Sequence, residues 1–167
     1  MGKGTCFKIY LPAAAAPDIP RAVARPTGPP LGHGERVLLV DDEQAVLEIT
    51  RAILIKYGYE VFSASDGSEA LTLFAQHKDE IDLVLTDFMM PFLDGPATIR
   101  ALQNIDPDMR IITASGLQEN EAVSQQFRHV TFLAKPFTPE KLLTTIAAAL
   151  KRPTNTTPSA HAEDPGH

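Results

Sequence analysis

The sequence lacks several features that would each indicate a particular class of protein. Its 167 residues include one cysteine, Cys6, and no tryptophan. A single cysteine excludes a disulfide within the chain and is consistent with a reducing compartment. No apolar run approaches the roughly 18 to 20 residues of a membrane-spanning helix, and the amino terminus has no apolar signal segment. We therefore expect a cytoplasmic protein with no membrane partner.

Positive charge is also scarce. The chain has 15 lysines and arginines against 21 aspartates and glutamates, which gives a formal net charge of −6. Nucleic acids and acidic membrane surfaces bind clustered lysine and arginine, so neither is expected as a direct partner. The length fits one domain with flanking segments.

What the sequence does contain is a regular alternation of strand-like and helix-like segments. Short apolar runs typical of buried strands lie at 37–40, 59–63, 81–87, 109–113 and 130–134. Helical patterns lie at 43–57, after Asp66, and at 94–105, 119–127 and 139–150. This alternation predicts an α/β fold with a doubly wound, five-stranded parallel sheet of the flavodoxin-like order 2-1-3-4-5.

Local signals refine the predicted helices. The first helix is expected to end before Gly58, and Asp66 with Glu69 predicts a capping box for the second. The helix over 119–127 has little apolar surface and is expected to be the weakest element. The face that the first helix buries is predicted to comprise Val46, Ile49, Ile53 and Tyr57.

The segments that flank this domain, which we place at 35–151, differ from it in composition. Residues 13–34 are rich in proline, glycine and alanine and have no hydrophobic period, which predicts a flexible linker. Residues 152–167 are rich in threonine, proline, serine and histidine, without a core-forming pattern. We expect a disordered tail there.

Chemistry-bearing residues follow several of the predicted strands. Asp41 and Asp42 follow the first strand, Asp87 ends the third, Ser115 follows the fourth and Lys135 follows the fifth. Carboxyl ends of parallel strands meet at one edge of the sheet, where open α/β proteins bind ligands. Three converging carboxylates favour a hard divalent cation such as Mg²⁺, and a nucleophilic carboxylate beside a metal and a lysine suits phosphoryl transfer.

Each of these residues also has an ordinary structural interpretation. Asp41 and Asp42 before a helix are often only a helix cap, and Ser115 or Lys135 alone would be a common turn or strand exit. The joint occurrence at successive strand ends favours a functional site.

The same positions carry a resemblance to a known family. Residues 36–150 resemble the receiver domain of bacterial two-component response regulators over its whole length. The matching motifs are Val40-Asp41-Asp42-Glu43, Asp87 followed by Met90-Pro91 and Gly95, Ser115-Gly116, and Lys135-Pro136-Phe137.

The resemblance implies that Asp87 accepts a phosphoryl group from a kinase phosphohistidine. It implies that Asp42, Asp87 and the carbonyl of Met89 hold Mg²⁺, with Asp41 acting mostly through a water molecule. Lys135 would bind phosphoryl oxygens.

Two further positions belong to the implied signalling mechanism. The family places a hydroxyl near the phosphoryl group, and both Thr113 and Ser115 are candidates. Ser115 is preferred because it follows the buried strand and precedes a small residue. Phe132, three residues before Lys135, matches the family's switch aromatic, whose ring turns inward when the hydroxyl residue moves.

The first twelve residues carry a second resemblance. Residues 2–12 resemble the last glycine motif and final strand of the histidine-kinase ATP-binding domain, which precedes a receiver in hybrid kinases. The sequence has neither the asparagine-rich ATP-binding box nor the phosphorylatable-histidine helix of a kinase. We therefore interpret 1–12 as a remnant of that domain and expect no kinase activity.

The predicted function is a phosphoacceptor receiver that signals by conformational change. Its expected partners are a histidine kinase or phosphotransfer protein and a downstream protein, without nucleic acid. Three alternatives are a receiver-like docking module that is not phosphorylated, a Mg²⁺-dependent phosphatase and a flavodoxin. The phosphatase would need a second aspartate where Met89 stands, and a flavodoxin would need a phosphate-binding loop after the first strand.

Overall fold

The architecture is an α/β sandwich in which helices cover both faces of one sheet. The computed structural model describes residues 8, 28–90, 95–116, 127 and 129–151. The strands are β1 (Arg36–Val40), β2 (Glu60–Ala64), β3 (Leu83–Asp87), β4 (Ile111–Ser115) and β5 (Val130–Ala134). The helices are α1 (Gln44–Lys56), α2 (Gly67–His77), α3 (Gly95–Ile105) and α4 (Pro139–Leu150).

The sheet has the strand order β2-β1-β3-β4-β5, and all four pairings are parallel. The predicted flavodoxin-like order is therefore confirmed. Strands β2 and β4 extend further than predicted, to Ala64 and Ser115. Both residues are 1% exposed, so the parallel ladder continues beyond the apolar runs that the sequence pattern detects.

Two hydrophobic clusters, one on each face, hold the helices to the sheet. In β1, Val37 and Leu39 belong to the cluster formed with α1 and α4, whereas Leu38 and Val40 belong to the other cluster, which contains α2 and α3 side chains. Successive side chains of a strand point to opposite faces. This explains why β1 is a continuous apolar run.

The buried face of α1 differs from the predicted one. Ile49 is 63% exposed, whereas Leu47, Thr50 and Leu54 are buried. Thr50 lies in the middle of the buried face. Because threonine is polar, a search for periodic apolar residues does not detect this face. The prediction for Ile49 was wrong.

Residues 28–34, assigned to the flexible linker by composition, instead contact the domain. The N–H of Gly32 donates to the carbonyl of Tyr57 (2.8 Å), and the N–H of Gly34 donates to that of Gly58 (2.9 Å). Gly58 follows α1 with φ +91°, and a Cβ there would lie 2.6 Å from the Gly32 carbonyl oxygen. The prediction that α1 ends before Gly58 is confirmed. The carbonyl of Gly58 also accepts one of the hydrogen bonds that hold residues 28–34 against the domain.

Half of the capping box predicted for α2 is present, since the Glu69 side chain binds Ser65 and not the N–H of the N-cap residue Asp66. The Asp66 side chain accepts from the N–H of Glu69 (2.8 Å), and Glu69 accepts from the N–H of Ser65 (2.7 Å). At α4, the Thr138 hydroxyl accepts from the N–H of Lys141 (3.2 Å). These contacts satisfy amide groups that the first turn of a helix leaves without partners.

Several predictions fall on residues outside those described. They concern the remnant strand within 1–12, the linker up to residue 27, the helix over 119–127 except Phe127, and the tail at 152–167. Among the described residues, no helix is long and apolar enough to cross a membrane.

The corrected face of α1 predicts unequal effects of two substitutions on one helix. Leu54→Ala should lower the free energy of unfolding by about 2–5 kcal/mol because it opens a cavity in the core. Ile49→Ala should change it by no more than about 0.5 kcal/mol because the side chain is exposed. Urea unfolding measures both, and equal losses would contradict the assignment of the buried face.

Candidate functional site

The carboxyl edge of the sheet brings together three carboxylates. Val40 pairs with Thr86 in the register of β1 and β3, so Asp41 and Asp87 follow at neighbouring positions. Asp41, Asp42 and Asp87 each have a carboxylate oxygen within 4.8 Å of the others. Asp41 is buried, the side chain of Asp87 is 12% exposed, and Asp42 is exposed. The convergence expected from the strand order is therefore observed.

Lys135 supplies the positive charge at this edge. Its Nζ lies 2.9 Å from Asp87 Oδ2 and 3.7 Å from Asp41 Oδ2. Its backbone N–H donates to the carbonyl of Ser115 (2.9 Å), and the Lys135–Pro136 peptide is cis. The lysine thus reaches the carboxylates from the end of β5, across β4.

The surroundings of Asp41 disfavour the ionised form of its carboxyl group. Burial raises the pKa of the Asp41 carboxyl above its usual value, and the neighbouring charges of Asp87 and Asp42 add to this. The N–H of Glu43, which donates to Asp41 Oδ1 (2.9 Å), and the Lys135 ammonium group oppose the rise. A bound cation would favour the ionised form of all three carboxylates.

The ligands at this edge fit a small divalent cation. The three carboxylates offer only oxygen atoms, which Mg²⁺ prefers, and the exposed Asp42 leaves room for water ligands. Met89, whose carbonyl the sequence analysis assigns to the metal, lies two residues after Asp87 with its side chain 65% exposed. Met89 therefore belongs to the segment that directly follows Asp87, with its side chain exposed.

The two hydroxyl candidates differ in depth within the sheet. Thr113 pairs with Thr86, one position before Asp87, whereas Asp87 itself pairs with Ala114. Ser115 therefore lies one position further toward the carboxyl edge, and it pairs with Ala134, the residue before Lys135. Both side chains are buried. The register thus favours Ser115 as the hydroxyl nearest the carboxylates.

Phe132 lies apart from the carboxylates. It is partly buried in β5, pairs with Thr113, and lines a groove of about 470 Å³ between β5 and α4. The groove also contains Lys141 and Thr144. Phe132 therefore lies on the edge strand β5, next to β4, which carries Ser115.

With the fold and the carboxylate edge described, comparison with known proteins identifies the family. The model of the response regulator receiver domain matches residues 37–147. This chain belongs to that family. The receiver domain of two-component systems is thus its established class, as the sequence motifs indicate.

Curated relatives include both kinases and regulators. The chain is 37% identical over 166 residues to the sensor kinase CckA of Brucella abortus, covering 91% of this chain and 17% of the kinase. It is 40% identical over 124 residues to the response regulator MprA of Mycolicibacterium vanbaalenii, covering 71% of this chain and 52% of the regulator. The chain thus spans about half the length of that regulator and a smaller part of the kinase.

Solved structures show the same fold. The receiver domain of the hybrid histidine kinase CckA matches with a TM-score of 0.60 and 32% identity, covering 70% of this chain and 99% of that one. A chain of the CheX–CheY–BeF3–Mg²⁺ complex from Borrelia burgdorferi matches with a TM-score of 0.66 and 27% identity, covering 71% of this chain and 90% of that one.

Some contacts that shape the receiver's site have no signal in the sequence. The Thr86 hydroxyl donates to the carbonyl of Asp87 (3.0 Å), and the N–H of Glu43 holds Asp41 as described. In the sequence, Gly95 is indicated only as part of the motif that follows Asp87. Its N–H donates to the carbonyl of Phe88 (3.0 Å), and a Cβ there would lie 2.6 Å from that oxygen. Glycine therefore lets α3 approach the residue that follows Asp87.

This close approach predicts that Gly95→Ala destabilises the receiver by about 1–3 kcal/mol, because the added methyl group meets backbone atoms of Phe88. Gly116→Ala is the matched control, since nothing lies within 4 Å of its added Cβ. It should change the free energy of unfolding by at most about 0.5 kcal/mol. Chemical denaturation compares the two, and a Gly95→Ala variant as stable as the native protein would contradict the role given to this glycine.

Proposed function

We propose that this receiver accepts a phosphoryl group on Asp87 from a kinase phosphohistidine and signals by a change of conformation. The observation that supports it most is the constellation at the carboxyl edge. Three carboxylates lie within 4.8 Å of one another, and Lys135 Nζ lies 2.9 Å from Asp87 Oδ2. This is an arrangement for charge neutralisation and positioning, which phosphoryl transfer requires.

In the proposed reaction, a carboxylate oxygen of Asp87 attacks the phosphorus atom of the phosphohistidine. The P–N bond breaks, and its electron pair leaves with the imidazole nitrogen of the donor. Asp87 is the only one of the three carboxylates in direct contact with Lys135, at 2.9 Å, and it lies at the end of its strand. Both features favour it as the nucleophile.

Asp42, Asp87 and the carbonyl of Met89 would hold Mg²⁺, and Asp41 would act through a water ligand. When bound, Mg²⁺ neutralises negative charge that gathers on the phosphoryl oxygens. Lys135 would move from its ion pair with Asp87 to a phosphoryl oxygen while remaining at the same edge. Asp41 stays fixed by the N–H of Glu43 (2.9 Å).

The signal would pass from the site through Ser115 to Phe132. Ser115 would donate its hydroxyl to a phosphoryl oxygen, and the neighbouring Phe132 ring would turn inward. Phe132 lines the groove between β5 and α4, so its movement would change the surface offered to a downstream protein. We expect that output face to include the helix predicted over 119–127.

A histidine kinase or phosphotransfer protein is the proposed donor, and a protein is the proposed target. The similarity to the sensor kinase CckA covers 91% of this chain, a larger part than the receiver match at 37–147. This supports a hybrid-kinase origin for residues 1–12 and a linker role for much of 13–34. A donor of this kind agrees with a cytoplasmic location. The net negative charge of the chain agrees with the absence of a nucleic-acid partner.

In this role the receiver is a regulatory phosphoacceptor that catalyses only its own phosphorylation and dephosphorylation. The alternative is a docking module that is not phosphorylated. The Asp87–Lys135 ion pair and the adjoining carboxylates weigh against it, because a docking role requires none of these charges. A transfer assay separates the two.

Incubation with acetyl phosphate and Mg²⁺ should add one phosphoryl group to the native chain, since Asp87 is the nucleophile. Asp87→Asn should remain unmodified, and EDTA should abolish the adduct. Intact-mass spectrometry measures all three. Asp79→Asn is the matched control, because Asp79 is an exposed aspartate remote from the edge, in the turn that follows α2.

Native protein that stays unmodified while folded and bound to Mg²⁺ would support the docking module instead. An adduct that persists in Asp87→Asn would place the acceptor elsewhere.

A further inference from the structure

Residues 28–34, which precede β1, form a short segment that we call the strap. The strap lies outside the matched receiver model, which begins at residue 37. Three of its seven residues are glycine and two are proline, a composition that is typical of a flexible linker. The structure nevertheless holds the strap against the turn between α1 and β2. Its contacts therefore show what the composition conceals.

Backbone hydrogen bonds attach the strap to the end of α1. The N–H of Gly32 donates to the carbonyl of Tyr57 (2.8 Å), and the N–H of Gly34 donates to that of Gly58 (2.9 Å). Tyr57 is the C-cap residue of α1, and carbonyl groups at the end of a helix have no partner within the helix. The strap therefore supplies a donor that the helix itself lacks.

The packing of the strap is close enough to require glycine. A Cβ on Gly32 would lie 2.8 Å from ring carbons of Tyr59, and a Cβ on Gly58 would lie 2.6 Å from the carbonyl oxygen of Gly32. Tyr59 is 4% exposed and belongs to the hydrophobic cluster formed with α1 and α4. Its ring is therefore fixed by the core, and Gly32 serves close contact with that ring instead of flexibility.

The strap also lies beside the last turn of α4. Pro30 and Leu31 line a groove of about 450 Å³ together with Leu150 and Lys151. The strap leads directly into the start of β1, at the amino edge of the parallel sheet. The carboxylates follow the opposite ends of the strands. The strap is therefore remote from the proposed phosphorylation site.

We infer that the strap is an intramolecular docking element that attaches the preceding part of the chain to the receiver at a fixed point. The chain before residue 28 leaves the receiver at the amino edge, beside the ends of α1 and α4. The linker predicted at 13–34 is thereby shortened to 13–27. For a flexible chain this reduces the mean end-to-end distance from about 26 Å to about 21 Å, which keeps residues 1–12 nearer to this edge.

Hydrogen–deuterium exchange of the full chain, followed by NMR, tests whether the strap is docked. The Gly32 and Gly34 amides donate hydrogen bonds, so they should exchange at least about tenfold more slowly than in a peptide of residues 26–36. Gly32→Ala should raise the exchange rate of the Gly34 amide by about tenfold, because the added methyl group meets the Tyr59 ring. Leu31→Ala is the control within the strap and should leave that rate unchanged, since the Leu31 side chain is 63% exposed.

The amides of Val84 and Leu85 in the buried strand β3 distinguish release of the strap from loss of the fold, and they should stay protected in Gly32→Ala. Native strap amides that exchange as fast as those of the peptide would overturn the inference, as would unchanged Gly34 exchange in Gly32→Ala. If Gly32→Ala does not fold, the comparison of the native chain with the peptide still decides. Failure of acetyl phosphate to modify the native chain would count against the proposed function alone.

Discussion

The mutual repulsion of three carboxylates at one edge of the sheet is the constraint on which the site depends. Like charges less than 5 Å apart interact by a few kcal/mol when partly buried, and a single lysine offsets only part of this. Burial of Asp41 strengthens the conflict, since it raises the pKa of that carboxyl. An added divalent cation at this edge would relieve the repulsion, which is why the three carboxylates fit such an ion.

The fold maintains this arrangement through features remote from the charges. Parallel register brings Asp41 and Asp87 side by side, and two hydrophobic clusters fix the strands that carry them. Gly95 lets α3 close on the residue after Asp87, while β5 delivers Lys135 from two strands away. Rigid elements therefore impose positions that the charges alone would not adopt, as expected for a preorganised site.

Sequence pattern predicted the strand order and the convergence of Asp41, Asp42 and Asp87, because apolar runs followed by polar residues are a strong signal in parallel sheets. The sequence pattern gave wrong predictions where a buried position is polar or where a contact involves only backbone atoms. Thr50 occupies the buried centre of α1, so periodicity placed Ile49 inward instead. Residues 28–34 are held by the carbonyls of Tyr57 and Gly58, and composition cannot reveal such backbone contacts. The hydrogen bond to the Asp41 carboxylate comes from the backbone N–H of Glu43, which any residue type except proline could supply, so it leaves no signal in the sequence.

The most direct test of the carboxylate account is thermal unfolding of the native chain and Asp42→Asn, with and without about 10 mM Mg²⁺ at matched ionic strength. Asp42 is exposed, so its amide variant removes repulsion with little other change. The account predicts that Mg²⁺ raises the native Tm by several degrees and that of Asp42→Asn much less. It also predicts that Asp42→Asn is at least as stable as the native chain without Mg²⁺. A native Tm that does not respond to Mg²⁺, or an equal response in both proteins, would contradict it.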